Sequence, residues 1–204
     1  MTILKPVLAL AFTLTSGLAF ADTLPMSWVP PSGMKPGPIE GTSAVLETTT
    51  AGASMLIETK GMTPGHAYTV WWVAVQSPEN CESRPCSPMD AMGRADLMNS
   101  VASNAGGGVV NADGTLRFAS FLPVGQVKGN FYQSTFDKPL TSEFHLVIQD
   151  HGPLIPEMAA DMLAGFRGGC TDESVPPFYP ETAMKDGTPG PNACNTAQVA
   201  LFMQ

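Results

Sequence analysis

The sequence predicts an all-β chain folded as an antiparallel sandwich, with one short helix and long loops pinned by disulfides. Three observations carry that reading. Glycine and proline number 20 and 19 in 204 residues while charged residues make up only 14%, so turns are frequent and there is little from which to build long surface helices. Short β-branched and apolar runs recur between turn residues, as in strands joined by tight connections. The four cysteines, an even number, fall in polar stretches, as expected of a chain that oxidises after export.

The first 21 residues read as a secretion signal. Lys5 gives the positive start, Val7 to Phe20 an apolar run too short to span a bilayer, and Ala19-Phe20-Ala21 a small-x-small cleavage site. No cysteine follows closely enough for a lipid anchor. The mature protein is expected to begin at Asp22 and to reside in the periplasm or outside the cell. Residues 22–42, rich in Pro and Gly, form an extended lead-in, and 43–204 a single domain long enough to bury a full core. The net charge of −8 becomes one unit more negative when Lys5 is removed. That argues against nucleic acid and anionic membrane surfaces as partners, because both need basic patches. No later apolar stretch approaches the roughly 20 residues of a membrane span.

Ser43 to Thr49 and Ser54 to Lys60, parted by Thr50-Ala51-Gly52, predict a hairpin. Pro64-Gly65 then turns the chain into the strongest strand signal, ending at Val75. Both faces of that strand, Tyr68/Val70/Trp72/Ala74 and Thr69/Trp71/Val73/Val75, are largely apolar, so it is expected at the centre of the fold, covered on each side. The stretch Met62-Thr63-Pro64-Gly65-His66-Ala67-Tyr68 resembles the tyrosine corner of fibronectin type III domains and related sandwiches. The resemblance implies an immunoglobulin/fibronectin-like antiparallel β-sandwich in which the Tyr68 hydroxyl bonds back across the turn. In that family the strand lies near the domain's end, whereas here most of the chain follows it, so the sandwich class carries over and the family does not.

Residues 77–105 read as a long loop with one helical turn between Met89 and Met98. Gly106 to Ala112 and Thr115 to Leu122 flank Asp113-Gly114, a pair suited to positive φ, and predict a second hairpin. Val124 to Leu140 is irregular and Glu143 to Gln149 a strand. Pro156 to Phe166 is the one helix, with Pro at its first position, Met158, Met162 and Phe166 at helical spacing, and Gly168-Gly169 as its stop. A Pro-, Gly- and acid-rich loop over 171–193 leads to a closing strand, Thr196 to Met203. Four cysteines allow three pairings. The local one, Cys81 with Cys86 and Cys170 with Cys194, is expected, and the absence of Cys-x-x-Cys argues against a four-cysteine zinc site.

No motif identifies a reaction. There is no Gly-x-Ser-x-Gly elbow, Gly106-Gly107-Gly108 lacks the Gly-Lys-Ser/Thr of a phosphate loop, and Asn111-x-Asp113-Gly114 lacks the late glutamate of a calcium loop. The expectation is a non-enzymatic exported binding or envelope-associated protein with no resident cofactor. Its ligand, whether a small molecule, a glycan or a protein, would sit near the end of the His145 strand. His151, Asp150, His145 and Trp72 are the candidate binding residues: a histidine before the Gly152-Pro153 turn is placed to face a cleft, and Trp71 and Trp72 point to opposite faces, so that one is available for stacking if it is not core.

Two alternatives stay open. A periplasmic copper binder would use His145, His151 or His66 with Met89 and Met92, since thioether sulfur suits Cu(I). His145 and His151 share a strand face, but an extended strand would hold them about 20 Å apart, so a shared metal needs a sharp turn at Asp150. A hydrolase would use His151 and Asp150, with no nucleophile placed.

Two further resemblances concern longer stretches. Gly61-Met62-Thr63-Pro64-Gly65 is similar to the turn before the ligand-bearing strand of copper-zinc superoxide dismutase and chordin-type domains. That strand should carry His-x-His, and here it carries Thr69-Val70-Trp71, so the resemblance implies a sandwich without dismutase activity. The Thr-x-Trp-Trp-Val run from Thr69 to Val73, the segment from His145 to Pro153, and Gly168-Gly169-Cys170 before an acidic loop together resemble a pattern in uncharacterised exported bacterial β-sandwich proteins, and imply no activity.

Overall fold

A computed structural model describes residues 20–29, 37–127, 135–175 and 188–204. The expected signal peptide up to residue 19 lies outside the described residues, as do parts of the lead-in, of the irregular stretch after Val124 and of the acid-rich loop. The strands are β1 (Phe20–Leu24), β2 (Ser27–Trp28), β3 (Gly37–Pro38), β4 (Ser43–Thr49), β5 (Gly52–Thr59), β6 (His66–Val75), β7 (Ser100–Val109), β8 (Leu116–Pro123), β9 (Gly125–Gln126), β10 (Thr135–Phe136), β11 (Glu143–Pro153) and β12 (Asn195–Phe202). They form two antiparallel sheets, ordered β1-β4-β5-β8 and β3-β2-β12-β11-β6-β7, with β9 and β10 as a separate ribbon. The chain is the expected all-β sandwich.

The β4–β5 hairpin pairs Val45 with Leu56 and Leu46 with Met55. The lead-in joins both sheets: β1, which begins at Phe20, two residues before it, lies at the edge of the smaller sheet against β4, and β2 lies between β3 and Gln198 and Val199 of β12. Strand β6 lies inside the larger sheet, between β11 and β7. Its inner residues Tyr68, Val70, Trp72 and Ala74 meet Leu46, Ile57, Phe144 and Leu146 in the core between the sheets. Its outer residues Trp71, Val73 and Val75 lie under loops instead. The corner is present, with the Thr63 N–H donating to the Tyr68 hydroxyl at 3.0 Å.

Three expectations are corrected. Asp113-Gly114 does not close a hairpin: β7 pairs with β6 and β8 with β5, so this turn carries the chain from one sheet to the other. Strand β7 begins at Ser100, inside the expected loop. Its Ser, Ala, Asn and Gly residues bury little area each, and the extra residue that shifts the register between Val70 and Trp71 breaks the period-2 pattern. The helix expected over Pro156 to Phe166 shrinks to a 3-10 turn, Pro156–Met158, and one α-turn. The Ala164 carbonyl accepts from Asn104 Nδ2 of β7 at 3.0 Å, and Gly168 must pass the Asp161 backbone so closely that a Cβ would lie 2.0 Å from its oxygen. Tertiary contacts therefore turn the chain before the periodic pattern ends. A π-turn, Met89–Gly93, precedes α1 (Ala95–Met98) in the first loop, and α2 (Ala159–Met162) is the α-turn of the second.

Both local disulfides form, Cys81–Cys86 and Cys170–Cys194. Each pins a loop onto the outer face of the larger sheet. Cys86, Ala91, Met92 and Met98 pack on Val73, Val75 and Ala102 at one end. Phe166, Cys170, Val175 and Cys194 pack on Trp71 towards the other. Among the described residues no helix is long and apolar enough to cross a membrane.

Candidate functional site

Side chains alternate along a strand, so Glu143, His145, Val147, Gln149 and His151 of β11 line up on the outer face. The two pinned loops cover the ends of this row and leave its middle open. There the surface forms a groove of about 150 Å³. Trp71, Val73, His145, Val147, Val199 and Leu201 make its floor, Cys86, Ala91 and Met92 of the first loop one wall, and Phe166 of the second loop the other. Phe166 meets Trp71 edge-on, with centroids 5.3 Å apart. His145 and Thr196 are the polar exceptions in an apolar lining.

His145 is held from below. Its Nε2 lies 2.8 Å from Glu143 Oε1, and Glu143, wholly buried, also accepts from the Cys86 N–H at 2.6 Å and from Arg84 Nε at 2.9 Å. Burial works against the Glu143 charge. The hydrogen bonds from His145, Cys86 and Arg84 outweigh it and hold the carboxyl below the usual glutamate range. The Glu143 carboxylate accepts in this contact, so Nε2 carries a proton and Nδ1 is the ring nitrogen left for a ligand. Nδ1 takes no hydrogen bond from the described residues. Sequence reasoning missed Glu143 and Arg84. The i, i+2 spacing of Glu143 and His145 on a strand was the available signal for the first, whereas nothing local pointed to Arg84.

His151 is wholly buried with both nitrogens engaged. Trp71 Nε1 donates to Thr69 Oγ1 at 2.7 Å, the Thr69 hydroxyl meets His151 Nε2 at 2.7 Å, and His151 Nδ1 donates to the Gly168 carbonyl at 2.9 Å. Burial pushes the ring down to about 4, against the opposing pull of the Gly168 carbonyl and the Asp150 charge, so it is neutral at ordinary pH. Cys170 Sγ lies 3.6 Å from Nδ1, and ligand atoms of His151, Cys170 and Cys194 all fall within 4.8 Å of one another, with the two sulfurs joined.

Asp150 points to the opposite face from its neighbour. It accepts from His66 Nδ1 at 3.0 Å, the Tyr68 hydroxyl at 3.0 Å and the Gly152 N–H at 2.7 Å. The pair formed is therefore His66–Asp150 rather than His151–Asp150, and Asp150 is the one side chain to which His66 is hydrogen-bonded among the described residues. Burial, with the Asp150 charge adding to it, pushes Tyr68 up to about 12.

Trp72 faces the interior, 1% exposed, stacked edge-on with Phe144 and donating to Ser120 Oγ. Its neighbour Trp71 is the tryptophan on the groove. Of the metal candidates, His145 and Met92 share the groove, Met89 is exposed outside it, and His151 is separated from His145 by Val147 and Gln149 along the strand. No protein-family model, curated protein or solved structure matches the chain.

Proposed function

We propose that this is an exported, non-enzymatic binding protein that takes a small apolar or aromatic ligand in the groove between its two pinned loops. The observation that carries the reading is the groove itself: an apolar hollow on a sheet face that has its own core on the other side, with one histidine on the floor. About 150 Å³ suits a single ring or a branched aliphatic group. The two disulfides brace opposite walls, as a preformed site in an oxidising compartment would require. The polar nitrogen at His145 Nδ1 favours a ligand that carries a polar group such as a hydroxyl over a purely apolar one.

The test uses phenol and toluene as probes, read by tryptophan fluorescence and confirmed by calorimetry. Phenol should bind saturably and more tightly than toluene. Val199→Phe, which fills the groove from a half-buried position, should abolish binding and leave the melting temperature close to that of the parent. Absence of saturable binding by either probe overturns the reading.

A second reading, a copper-binding protein, draws on His145 and Met92 lining one groove. It predicts Cu(I) retained through desalting and lost in both His145→Asn and Met92→Leu. Retention unaffected by these substitutions counts against it.

A further inference from the structure

The geometry points to a redox-exchanged metal site at the second loop: once Cys170–Cys194 is reduced, its two sulfurs and His151 Nδ1 bind a zinc-class divalent ion that seats the loop in place of the disulfide. This does not rest on the groove or its ligand.

The donors are already close to the right spacing. In a tetrahedral zinc site with Zn–S about 2.3 Å and Zn–N about 2.05 Å, a sulfur and a nitrogen ligand lie about 3.6 Å apart. Cys170 Sγ and His151 Nδ1 lie 3.6 Å apart. The Gly168 carbonyl oxygen lies 3.5 Å from Cys170 Sγ and 2.9 Å from Nδ1, and can serve as fourth donor or give way to water. The two sulfurs must part to about 3.8 Å, and Cys194 Sγ, which lies within 4.8 Å of the histidine, must close to about 3.6 Å of Nδ1. Two sulfurs and one imidazole nitrogen are a set that zinc favours over harder ions.

The surroundings support the histidine as a ligand. As Nδ1 takes the metal, the ring proton moves to Nε2 and the hydrogen bond there reverses: Nε2–H donates to Thr69 Oγ1, which Trp71 Nε1 already holds in place. The backbone that presents Cys170 is tightly constrained: a Cβ on Gly168 would lie 2.0 Å from the Asp161 oxygen, and one on Gly190 would lie 2.0 Å from the Gly169 carbonyl carbon. The other disulfide is a built-in control, since among the described residues no His or acid groups with Cys81 and Cys86 in this way.

The chemistry balances with a dithiol as reductant. A dithiol passes two electrons to the Cys170–Cys194 bond and leaves as its own disulfide, and its two protons end on the cysteines as thiols. The metal ion then displaces those two protons to solvent as both sulfurs bind it as thiolates.

The experiment uses the mature chain with Cys81→Ser and Cys86→Ser, reduced with a phosphine in mild denaturant and refolded with and without Co(II), then challenged with Zn(II). The expected result is one Co(II) per chain, with near-ultraviolet sulfur-to-cobalt absorption and tetrahedral visible bands, both removed by Zn(II). The oxidised protein should show neither. His151→Gln should weaken affinity at least tenfold. In case that variant fails to fold, Cys194→Ser, which keeps the histidine, must also lose the sulfur-to-cobalt signature of a two-thiolate site. Folding recovered only with metal supports the proposal. It is overturned if the reduced, folded protein gives no such bands, if it fails to fold with metal present, or if folded His151→Gln binds as tightly as the parent.

Discussion

His151 spends its hydrogen-bonding capacity entirely inside the fold, and acid exposes the consequence. Its folded pKa, near 4, lies below the ordinary value of 6.5, so between those limits the unfolded chain binds the extra proton and the folded one does not. Stability is therefore full above pH 6.5 and falls as the pH drops towards 4, by about 3 kcal/mol in all. Urea unfolding across this range should show the fall, and His151→Gln, which cannot titrate, should flatten it. Glu143 acts lower on the scale: its depressed pKa contributes stability above the ordinary glutamate value that is lost as the pH falls through the folded one. Removing its acceptor should matter at neutral pH too. Glu143→Leu leaves the Cys86 N–H and Arg84 without their partner, and should cost about 3 kcal/mol by urea unfolding. Arg84→Met added to it should restore part of that loss.

At the scale of elements the two loops differ in what holds them. Cys170–Cys194 spans 24 residues and Cys81–Cys86 five. By loop-closure entropy, replacing the longer pair with serines should cost about 3.5 kcal/mol and the shorter about 2 kcal/mol. Melting temperatures of the two double variants should fall in that order. The same loops mark where the sequence stops being readable. Strands β4 and β5 were legible from β-branched and apolar runs on either side of a Thr-Ala-Gly turn, and β6 from an unbroken apolar run after Pro64-Gly65. Strand β7 was not, because Ser, Ala and Gly carry almost no hydrophobic contrast and a bulge resets its alternation. Pro156 to Phe166 shows the reverse error. The helical spacing of Met158, Met162 and Phe166 is real, yet Asn104 and the Gly168 crossing end the helix after one turn.

For the molecule as a whole, the arrangement amounts to three layers, with the larger sheet between a conventional core and a covering of loops. Amides of β6, paired on both sides and covered on both faces, should exchange hydrogen only through global unfolding, whereas those of edge strand β1 should exchange far faster; residue-resolved exchange measures both. The layered plan also explains which parts of the site could be read in advance. That β6 would be covered twice was legible from its two apolar faces. That the space above Val147 would stay open, with Trp71 rather than Trp72 beside it, depends on how far two loops distant in sequence reach across the sheet, and no local pattern encodes that reach.

The double covering of β6 has one more effect. In most strands a slip by one residue throws apolar side chains into water, and that penalty fixes the alignment. Here a slip exchanges Trp71 for Trp72 and Val73 for Ala74, so greasiness alone distinguishes the two alignments poorly. What distinguishes them is the hydroxyls. Only in the observed alignment with β11 does Tyr68 meet Asp150 on one side while Thr69 meets His151 on the other. A strand buried on both faces is thus indexed by its polar residues.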